Sequence, residues 1–262
     1  MLVSVLASGS KGNSTLITTD RVKILIDAGK NQKYLETALN QINLSLKDID
    51  YILITHTHAD HTSALKTIVK SHKPTIVLTE LMYQDLDYLK NYENILLLTD
   101  NLELEDLVIE NIKTSHDTSD SRGYIVTQGN SSVVQITDTG YLNQKYFKKL
   151  QNKTIYIFES NHNIEMLMHG RYPKWLKARV SSDVGHLSNE SSAFYLTKLI
   201  GENTKEIILA HLSEEANTPE LALKAYEKKF KKYHIDLDKI EIRTTSQKES
   251  ICGGNKNELW RI

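Results

Sequence analysis

Three histidines and an aspartate stand within six residues in the segment ITHTHADH at 54–61. The segment follows an apolar run at 51–53 and precedes an amphipathic stretch at 62–71, which predicts a buried strand, a polar turn and a helix. His56 and His58 are two residues apart, and at that spacing side chains lie on one side of an extended segment. Both imidazoles are therefore expected to face one metal ion.

Asp60 and His61 come where the helix is expected to begin, so their side chains leave a different backbone geometry. We expect them to reach a second ion. The alternative is an exposed polar turn without a ligand. The chain has 10 His in 262 residues. A chance match to this pattern has odds on the order of one in a thousand, which favours the metal interpretation.

Three further ligand candidates follow predicted strands elsewhere. His116 follows VIENIKTS, Asp138 follows VVQIT, and His211 follows EIILA. The carboxyl ends of strands are where α/β proteins gather their sites. An aspartate can bridge two ions with its two oxygens, which suits Asp138. Each residue alone is weak evidence, and their order after the histidine-rich segment supports a two-metal site.

The composition fits one domain over 1–262. A hydrophobic content of 40% allows a full core, and 32 Lys plus Arg against 33 Asp plus Glu give no overall argument for a nucleic-acid or membrane partner. Cys252 is the only cysteine, which favours a reducing cytoplasm. We see no leader in 1–14 and no apolar run near about 18 residues, so we expect a cytoplasmic protein with no membrane partner and no obligate protein partner.

Short β-branched runs alternate with amphipathic stretches along the chain. Strands are predicted at 2–6, 15–18, 23–26, 51–55, 75–78, 108–114, 123–127, 133–137, 155–159, 206–210 and 240–243. Helices are predicted at 32–41, 62–71, 80–90, 142–150, 189–200 and 219–233. The turn-rich segment TQGNSSV at 127–133 predicts a hairpin. The predicted fold class is α/β (α+β), with sheet packed on sheet and helices outside.

This set of residues resembles the five motifs of the metallo-β-lactamase-fold hydrolases, with Asp27 in ILIDAG matching the first motif. The resemblance spans most of the chain and implies an αββα sandwich of two mixed β-sheets flanked by helices. It implies that Asp138 bridges two ions and that Asp27 orients the ligand loop. The implied ligands are His56, His58 and His116 for one ion and Asp60, His61 and His211 for the other.

The implied cofactors are two divalent metal ions. Imidazole-rich shells suit Zn²⁺, while carboxylate ligands and phosphate chemistry also admit Mn²⁺ or Fe. A hydroxide bridging two ions is a nucleophile at neutral pH, and the ions can neutralise phosphate oxygens during an in-line displacement. In this interpretation metals replace a protein nucleophile.

Three stretches are similar to the nucleic-acid-processing branches of this superfamily: FESNH at 158–162, SSDVGHLSNESSA at 181–193 and LAHLSEEAN at 209–217. In those branches a Glu and a His assist phosphodiester cleavage, and the corresponding residues here are Glu159 and His186. We assign catalytic roles to these two residues and to Asp60. The compact chain, with LASGSKGNS at its N-terminus, most resembles the YycJ (WalJ) type. That family implies 5′-to-3′ exonuclease activity on DNA.

Other functions remain open at the level of sequence. Glyoxalase-II-like thioesterases share all five motifs, and a small-molecule phosphodiesterase such as one for cyclic nucleotides would use the same centre. A binding or regulatory protein without turnover is the third alternative. The coordination shell of a structural zinc is normally completed by four protein ligands, whereas paired sites that share a bridging ligand leave coordination positions open for water. This difference argues for an enzyme.

Two regions are predicted to contact the substrate. The loop at 8–14 has small residues whose backbone N–H groups suit an anion, although a tight turn is the plainer interpretation. Its candidate contacts are Ser8, Ser10, Lys11, Asn13 and Ser14. The second region is the basic cluster at 171–179, where Arg171 and Lys174 are interleaved with Tyr172 and Trp175, a mix suited to phosphate contact and base stacking.

Overall fold

The structure is a computed structural model that describes residues 1–245 and the backbone of 251–254. The chain divides into two compact units. Unit 1 comprises Met1–Asn111, Thr118–Arg122 and the strand at 251–254. Unit 2 comprises Ile112–Asp117 and Gly123–Thr245. The single domain expected over 1–262 stays a prediction.

Strands and helices alternate along most of the chain. The strands are β1 (Leu2–Ala7), β2 (Ser14–Thr18), β3 (Lys23–Ile26), β4 (Tyr51–Leu53), β5 (Thr75–Leu78), β6 (Ile95–Leu97), β7 (Asn101–Leu104), β8 (Leu107–Lys113), β9 (Arg122–Gln128), β10 (Ser131–Ile136), β11 (Ile155–Glu159), β12 (Glu206–Ala210), β13 (Glu241–Thr244) and β14 (Ile251–Gly254). The α-helices are α1 (Gln32–Asn40), α2 (Ala59–Thr62), α3 (Leu65–Ser71), α4 (Glu80–Asp85), α5 (Phe147–Leu150), α6 (Ile164–His169), α7 (Lys174–Val180), α8 (Asn189–Leu199) and α9 (Pro219–Lys232). Short 3₁₀ helices lie at Leu46–Asp48, Asp87–Leu89 and Gln144–Tyr146.

The sheet of unit 1 runs in the order β14-β1-β2-β3-β4-β5-β6. Pairing is antiparallel from β14 to β3 and parallel from β3 to β6. Its parallel strands are apolar on both faces, as Ile52 and Leu53 of β4 show with no exposed surface. Leu35 of α1 and Ile68 of α3 pack into the same core, so helices cover one face of this sheet.

Unit 2 contains strands in the order β13-β12-β11-β10-β9. The pairs from β10 to β13 are parallel and the β9–β10 hairpin is antiparallel, as TQGNSSV predicted. Phe158 of β11 packs in one cluster with Leu196 of α8 and Phe230 of α9. Both sheets are therefore mixed and flanked by helices, which confirms the predicted fold class.

Several predicted elements are shorter or divided. The helix expected at 62–71 starts at Ala59 and is interrupted between α2 and α3, because Ala64 N bonds to Ala28 O in a neighbouring turn. The helices expected at 80–90 and 142–150 each split into an α-helical and a 3₁₀ turn. β6, β7 and β14 were missed.

Among the residues that the structure describes, no helix combines the length and the apolar character needed to cross a bilayer.

Candidate metal centre

The histidine-rich turn of unit 1 begins directly after β4 and runs into α2. His56 and His61 are buried, with 1% and 0% of their surface exposed, and their ring centroids are 4.0 Å apart. His56 Nε2 lies 3.1 Å from His58 Nδ1. Two nitrogens on one tetrahedral zinc, each about 2.0–2.1 Å from the ion, lie about 3.3 Å apart. The spacing of this pair fits a shared ion.

Asp27 organises this turn from the end of β3. It has no exposed surface, and its carboxylate accepts hydrogen bonds from Thr55 N and Thr55 Oγ1, both at 2.8 Å. His61 Nδ1 lies 2.8 Å from Asp27 Oδ2 and donates to it, which leaves Nε2 with the lone pair that a metal needs. Burial raises the pKa of Asp27, and His61 and Thr55 offset part of that effect.

Thr55 connects Asp27 to a second histidine, His56, through hydrogen bonds. Its Oγ1, whose hydrogen goes to Asp27, lies 3.1 Å from His56 Nδ1 and accepts from it. His56 Nε2 is thereby also left for a ligand. This role of Thr55 was not predicted, because a threonine at the end of a strand is an ordinary β residue.

The loop at 8–14 is fastened to the same turn by Asn13. Asn13 N donates to Asp60 O at 2.7 Å, and its side-chain Nδ2 lies 2.9 Å from His61 Nε2 and 3.3 Å from Asp60 Oδ2. Gly29 passes between them so closely that a Cβ there would overlap both Asp60 O and Asn13 N. The loop therefore holds the position of two candidate ligands.

The five predicted contacts in this loop differ in exposure. Ser8, Asn13 and Ser14 are buried, and Ser14 Oγ donates to Asp27 O at 2.9 Å. Ser10 and Lys11 are exposed. Substrate contact stays a proposal for this last pair, while the buried three serve the interior of unit 1.

Unit 2 brings a second set of candidate ligands together from separate turns. Asp138 follows β10, His211 follows β12 and His116 follows β8. Asp138 Oδ1 lies 3.4 Å from His211 Nε2 and 3.9 Å from His116 Nε2. A carboxylate oxygen between two imidazole nitrogens fits the bridging role that the resemblance implies. All three residues are buried.

Glu159, at the end of β11, is the hydrogen-bonding centre of this cluster. Its Oε1 lies 2.8 Å from His186 Nδ1 and 3.3 Å from His211 Nδ1, and its Oε2 accepts from the backbone N–H groups of Thr139 and Leu187. Burial opposes ionisation, but the charge of His186 and the hydrogen bonds with His186 and His211 prevail and lower the pKa of Glu159 to about 2. Glu159 is therefore a carboxylate near neutral pH and orients both imidazoles.

His186 extends the cluster beyond the implied ligand set. Its Nδ1 also lies 3.7 Å from Asp138 Oδ1, and its ring stacks against that of His211 with centroids 5.2 Å apart. One ligand atom from each of Asp138, Glu159, His186 and His211 falls within a 4.8 Å span. Asn161, which sequence reasoning missed, supports the group by donating from Nδ2 to His211 O at 2.9 Å.

Three candidate site residues sit in left-handed backbone conformations. Asp27, Asp138 and His211 have φ values of 64°, 55° and 57°. Such residues are uncommon outside glycine and cost free energy that the surrounding structure must supply. Their recurrence at the ends of β3, β10 and β12 indicates turns shaped for the side chains that they present.

The basic region of unit 2 lies on α7 and the turn before it. Arg171 and Lys174 are exposed, and Trp175 keeps 68% of its surface exposed. Arg179, by contrast, forms a two-point ion pair with Asp117 at 2.5 and 2.9 Å. The predicted contacts Arg171 and Lys174 are therefore accessible, while Arg179 ties α7 to the residue after His116.

Residues 7–211 match the model of the metallo-beta-lactamase superfamily. The chain is 36% identical to the exodeoxyribonuclease YycJ of Bacillus anthracis over 224 residues, 84% of this chain and 85% of that protein. It is 36% identical to the exodeoxyribonuclease WalJ of Streptococcus pneumoniae over 226 residues, 84% of each chain. The metallo-beta-lactamase fold protein YhfI of Bacillus subtilis superposes with a TM-score of 0.74 at 17% identity, over 96% of this chain and 98% of that one. The chain thus belongs to the metallo-β-lactamase superfamily and, within it, to the family of the YycJ and WalJ proteins.

Proposed function

We propose that the protein is a two-metal exonuclease that hydrolyses DNA from the 5′ end. The relatives named exodeoxyribonuclease match it over more than four-fifths of their length, and they supply the substrate class. The observation that carries the proposal within this chain is the pair His186–Glu159, 2.8 Å apart and beside Asp138. A hydrogen-bonded imidazole next to a bridging carboxylate is suited to proton transfer at a phosphate oxygen.

The proposed ligand assignment follows the order of the family motifs. Asp138 is proposed as the bridge, and Asp27 as the residue that orients the histidine-rich turn. The ligands proposed for one ion are His56, His58 and His116, and those for the other are Asp60, His61 and His211. Zn²⁺ and Mn²⁺ are the proposed metals, with Fe as the third candidate.

When bound, two divalent ions supply an activated water and neutralise charge on the phosphate oxygens. The residues of the chain perform the remaining tasks. Glu159 accepts the Nδ1 hydrogen of His186, which leaves Nε2 of that ring to hold or deliver a proton at a substrate oxygen. We propose that Arg171 and Lys174 bind backbone phosphates and that Ser10 and Lys11 also contact the substrate.

The test is digestion of end-labelled single- and double-stranded DNA and RNA by protein loaded with Zn²⁺ or Mn²⁺. Stepwise shortening of DNA from the 5′ end is expected, and a substrate blocked at that end should resist. His58→Ala serves as the matched inactive control. Absence of cleavage together with hydrolysis of S-lactoylglutathione would replace the nuclease by a thioesterase.

Metal analysis of the purified protein checks the assignment separately. We expect two ions per chain in the wild type and a reduced content in His58→Ala. A stoichiometry of one ion with full activity would contradict the two-metal assignment.

A further inference from the structure

A cavity of about 200 Å³ in unit 2 adjoins the turns that carry His116 and Asp138. Its lining includes Lys113, Ser115, Tyr141, Asn143, Lys145 and Tyr146. None of these residues belongs to the proposed metal ligands or to the basic region at 171–179.

The wall of the cavity is continuous with the ligand-bearing turns. Ser115 immediately precedes His116, and its carbonyl accepts from Gly140 N at 2.9 Å. Ser115 N donates to Thr139 Oγ1 at 3.0 Å, and Thr139 follows Asp138. The lining thus includes the residue directly before His116 and the residue three positions after Asp138.

The lining has the chemistry of a nucleic-acid subsite. Lys113 and Lys145 are exposed and basic, and the described lining residues include no carboxylate. Tyr141 keeps 42% of its surface exposed, and Lys145 Nζ lies 4.9 Å from the centroid of the Tyr146 ring. Lysines combined with an exposed aromatic ring are typical of grooves that follow a single strand, where charge meets phosphate and a ring stacks on a base.

The volume of the cavity favours a segment of a polymer over a whole small molecule as its ligand. Sites that enclose a whole small ligand occupy roughly 300–1,000 Å³, which is more than this cavity provides. It suits part of one nucleotide, such as its base, in a longer strand whose remainder lies outside.

We propose that this cavity binds the nucleotide next to the scissile phosphodiester in a single-stranded nucleic acid. Lys113 and Lys145 contact the backbone phosphate, and Tyr141 stacks on the base. The inference rests on the proposed nuclease function and adds a specificity determinant for strand binding.

The test compares Mn²⁺-loaded wild type with the double variant Lys113→Ala/Lys145→Ala on a single-stranded DNA oligonucleotide. We expect KM to rise about tenfold while kcat stays within about twofold, because the lysines bind the strand away from the reacting atoms. The slope of log(kcat/KM) against log[salt] should become shallower by about 0.7, since the two lysines neutralise one phosphate and each neutralised phosphate on a single strand contributes about 0.7. Tyr141→Ala should raise KM by about fivefold or more, and Tyr141→Phe should restore it.

Two controls isolate the subsite. Lys148→Ala removes an exposed lysine of α5 outside the cavity lining and should leave KM and the salt slope unchanged. Hydrolysis of bis(p-nitrophenyl) phosphate, which has no further backbone phosphate for the two lysines to contact, should be equal in wild type and the double variant. If the wild type digests DNA but the double variant keeps the same KM and salt slope, the subsite is wrong and the nuclease stands. If the wild type cuts no nucleic acid, both proposals fail.

Discussion

The candidate ligands of unit 1 come from one stretch of six residues, whereas those of unit 2 come from three separate turns. The contiguous set needs only a strand followed by a turn, so local chain geometry gathers it. The scattered set exists only once β10 and β12 have joined one sheet, because His211 and Asp138 approach through that sheet. The contiguous set can be recognised in the amino-acid sequence alone, whereas the scattered set forms only in the folded protein.

The two sets also use their supporting carboxylates differently. Asp27 and Glu159 are both fully buried, yet the pKa of Asp27 is raised and that of Glu159 is lowered to about 2. Burial dominates at Asp27, while two imidazoles and two backbone N–H groups stabilise the Glu159 carboxylate. The supporting carboxylate of the scattered set therefore has the lower pKa of the two.

Removal of the proposed bridge should have the largest effect. Asp138→Asn keeps a side chain that tolerates the left-handed conformation, so the fold should persist, but the bridging charge is lost. We expect kcat/KM on DNA to fall about 10³-fold, comparable to His58→Ala in the contiguous set. Asp238→Asn, at an exposed position, is the matched control. Retention of activity within about tenfold would show that the scattered set is dispensable.

Loss of the proposed proton donor should cost less. His186→Ala removes a side chain that we place outside the ligand set, so kcat should drop about 100-fold while both metals remain bound. Glu159→Gln should also lower kcat, since it weakens the hydrogen-bond acceptor of His186 Nδ1. Steady-state kinetics with metal analysis measures both, and His169→Ala on the exposed end of α6 is the control. Full activity in metal-replete His186→Ala would remove the proton-transfer role.

Asp27, which supports the contiguous set, should affect the affinity of the protein for metal. Asp27→Asn keeps one side-chain oxygen that can accept a hydrogen bond from Thr55, but it weakens the hydrogen bond that orients His61. Competition with a chelator should show metal binding weakened about 10- to 100-fold, with Asp20→Asn as an exposed control. Unchanged affinity would mean that the histidine-rich turn is held without Asp27.

The smallest effect concerns a buried histidine near the scattered set. His162 is 3% exposed, and burial lowers its pKa to about 4 from an ordinary 6.5, with Glu159 opposing and His186 adding to the shift. Because the unfolded chain binds this proton first, the contribution to stability is complete above about pH 6.5 and is lost as pH falls towards 4. The slope is at most one proton, about 1.4 kcal/mol per pH unit.

Urea unfolding of wild type and His162→Gln at pH 7.0 and 5.0 measures that slope. The variant should lose less stability on acidification than the wild type, and His169→Gln should behave as the wild type does. Equal slopes in all three proteins would mean that folding does not shift the pKa of His162.

The sequence predicted where the candidate ligands lie in the fold, because they recur at strand ends in a fixed order. Asp27, the histidine-rich turn, Asp138 and His211 all occupy strand ends in the structure. Their supports were not predictable, since Thr55, Asn13 and Asn161 act through hydrogen bonds that only the folded backbone creates. The cavity beside His116 was missed for the same reason, because Lys113 and Tyr141 lie in different segments.

The left-handed turns limit how this centre can be modified. At Asp138 and His211 the backbone favours Asn, Asp or Gly, and a β-branched or bulky ligand there would add a steric cost of roughly 1–2 kcal/mol. Exchanging a carboxylate for a thiolate, a natural first step for an engineer who wants a softer metal, therefore changes chain geometry as well as donor chemistry. Redesign of the metal preference has to begin with the turns and only then choose the ligands.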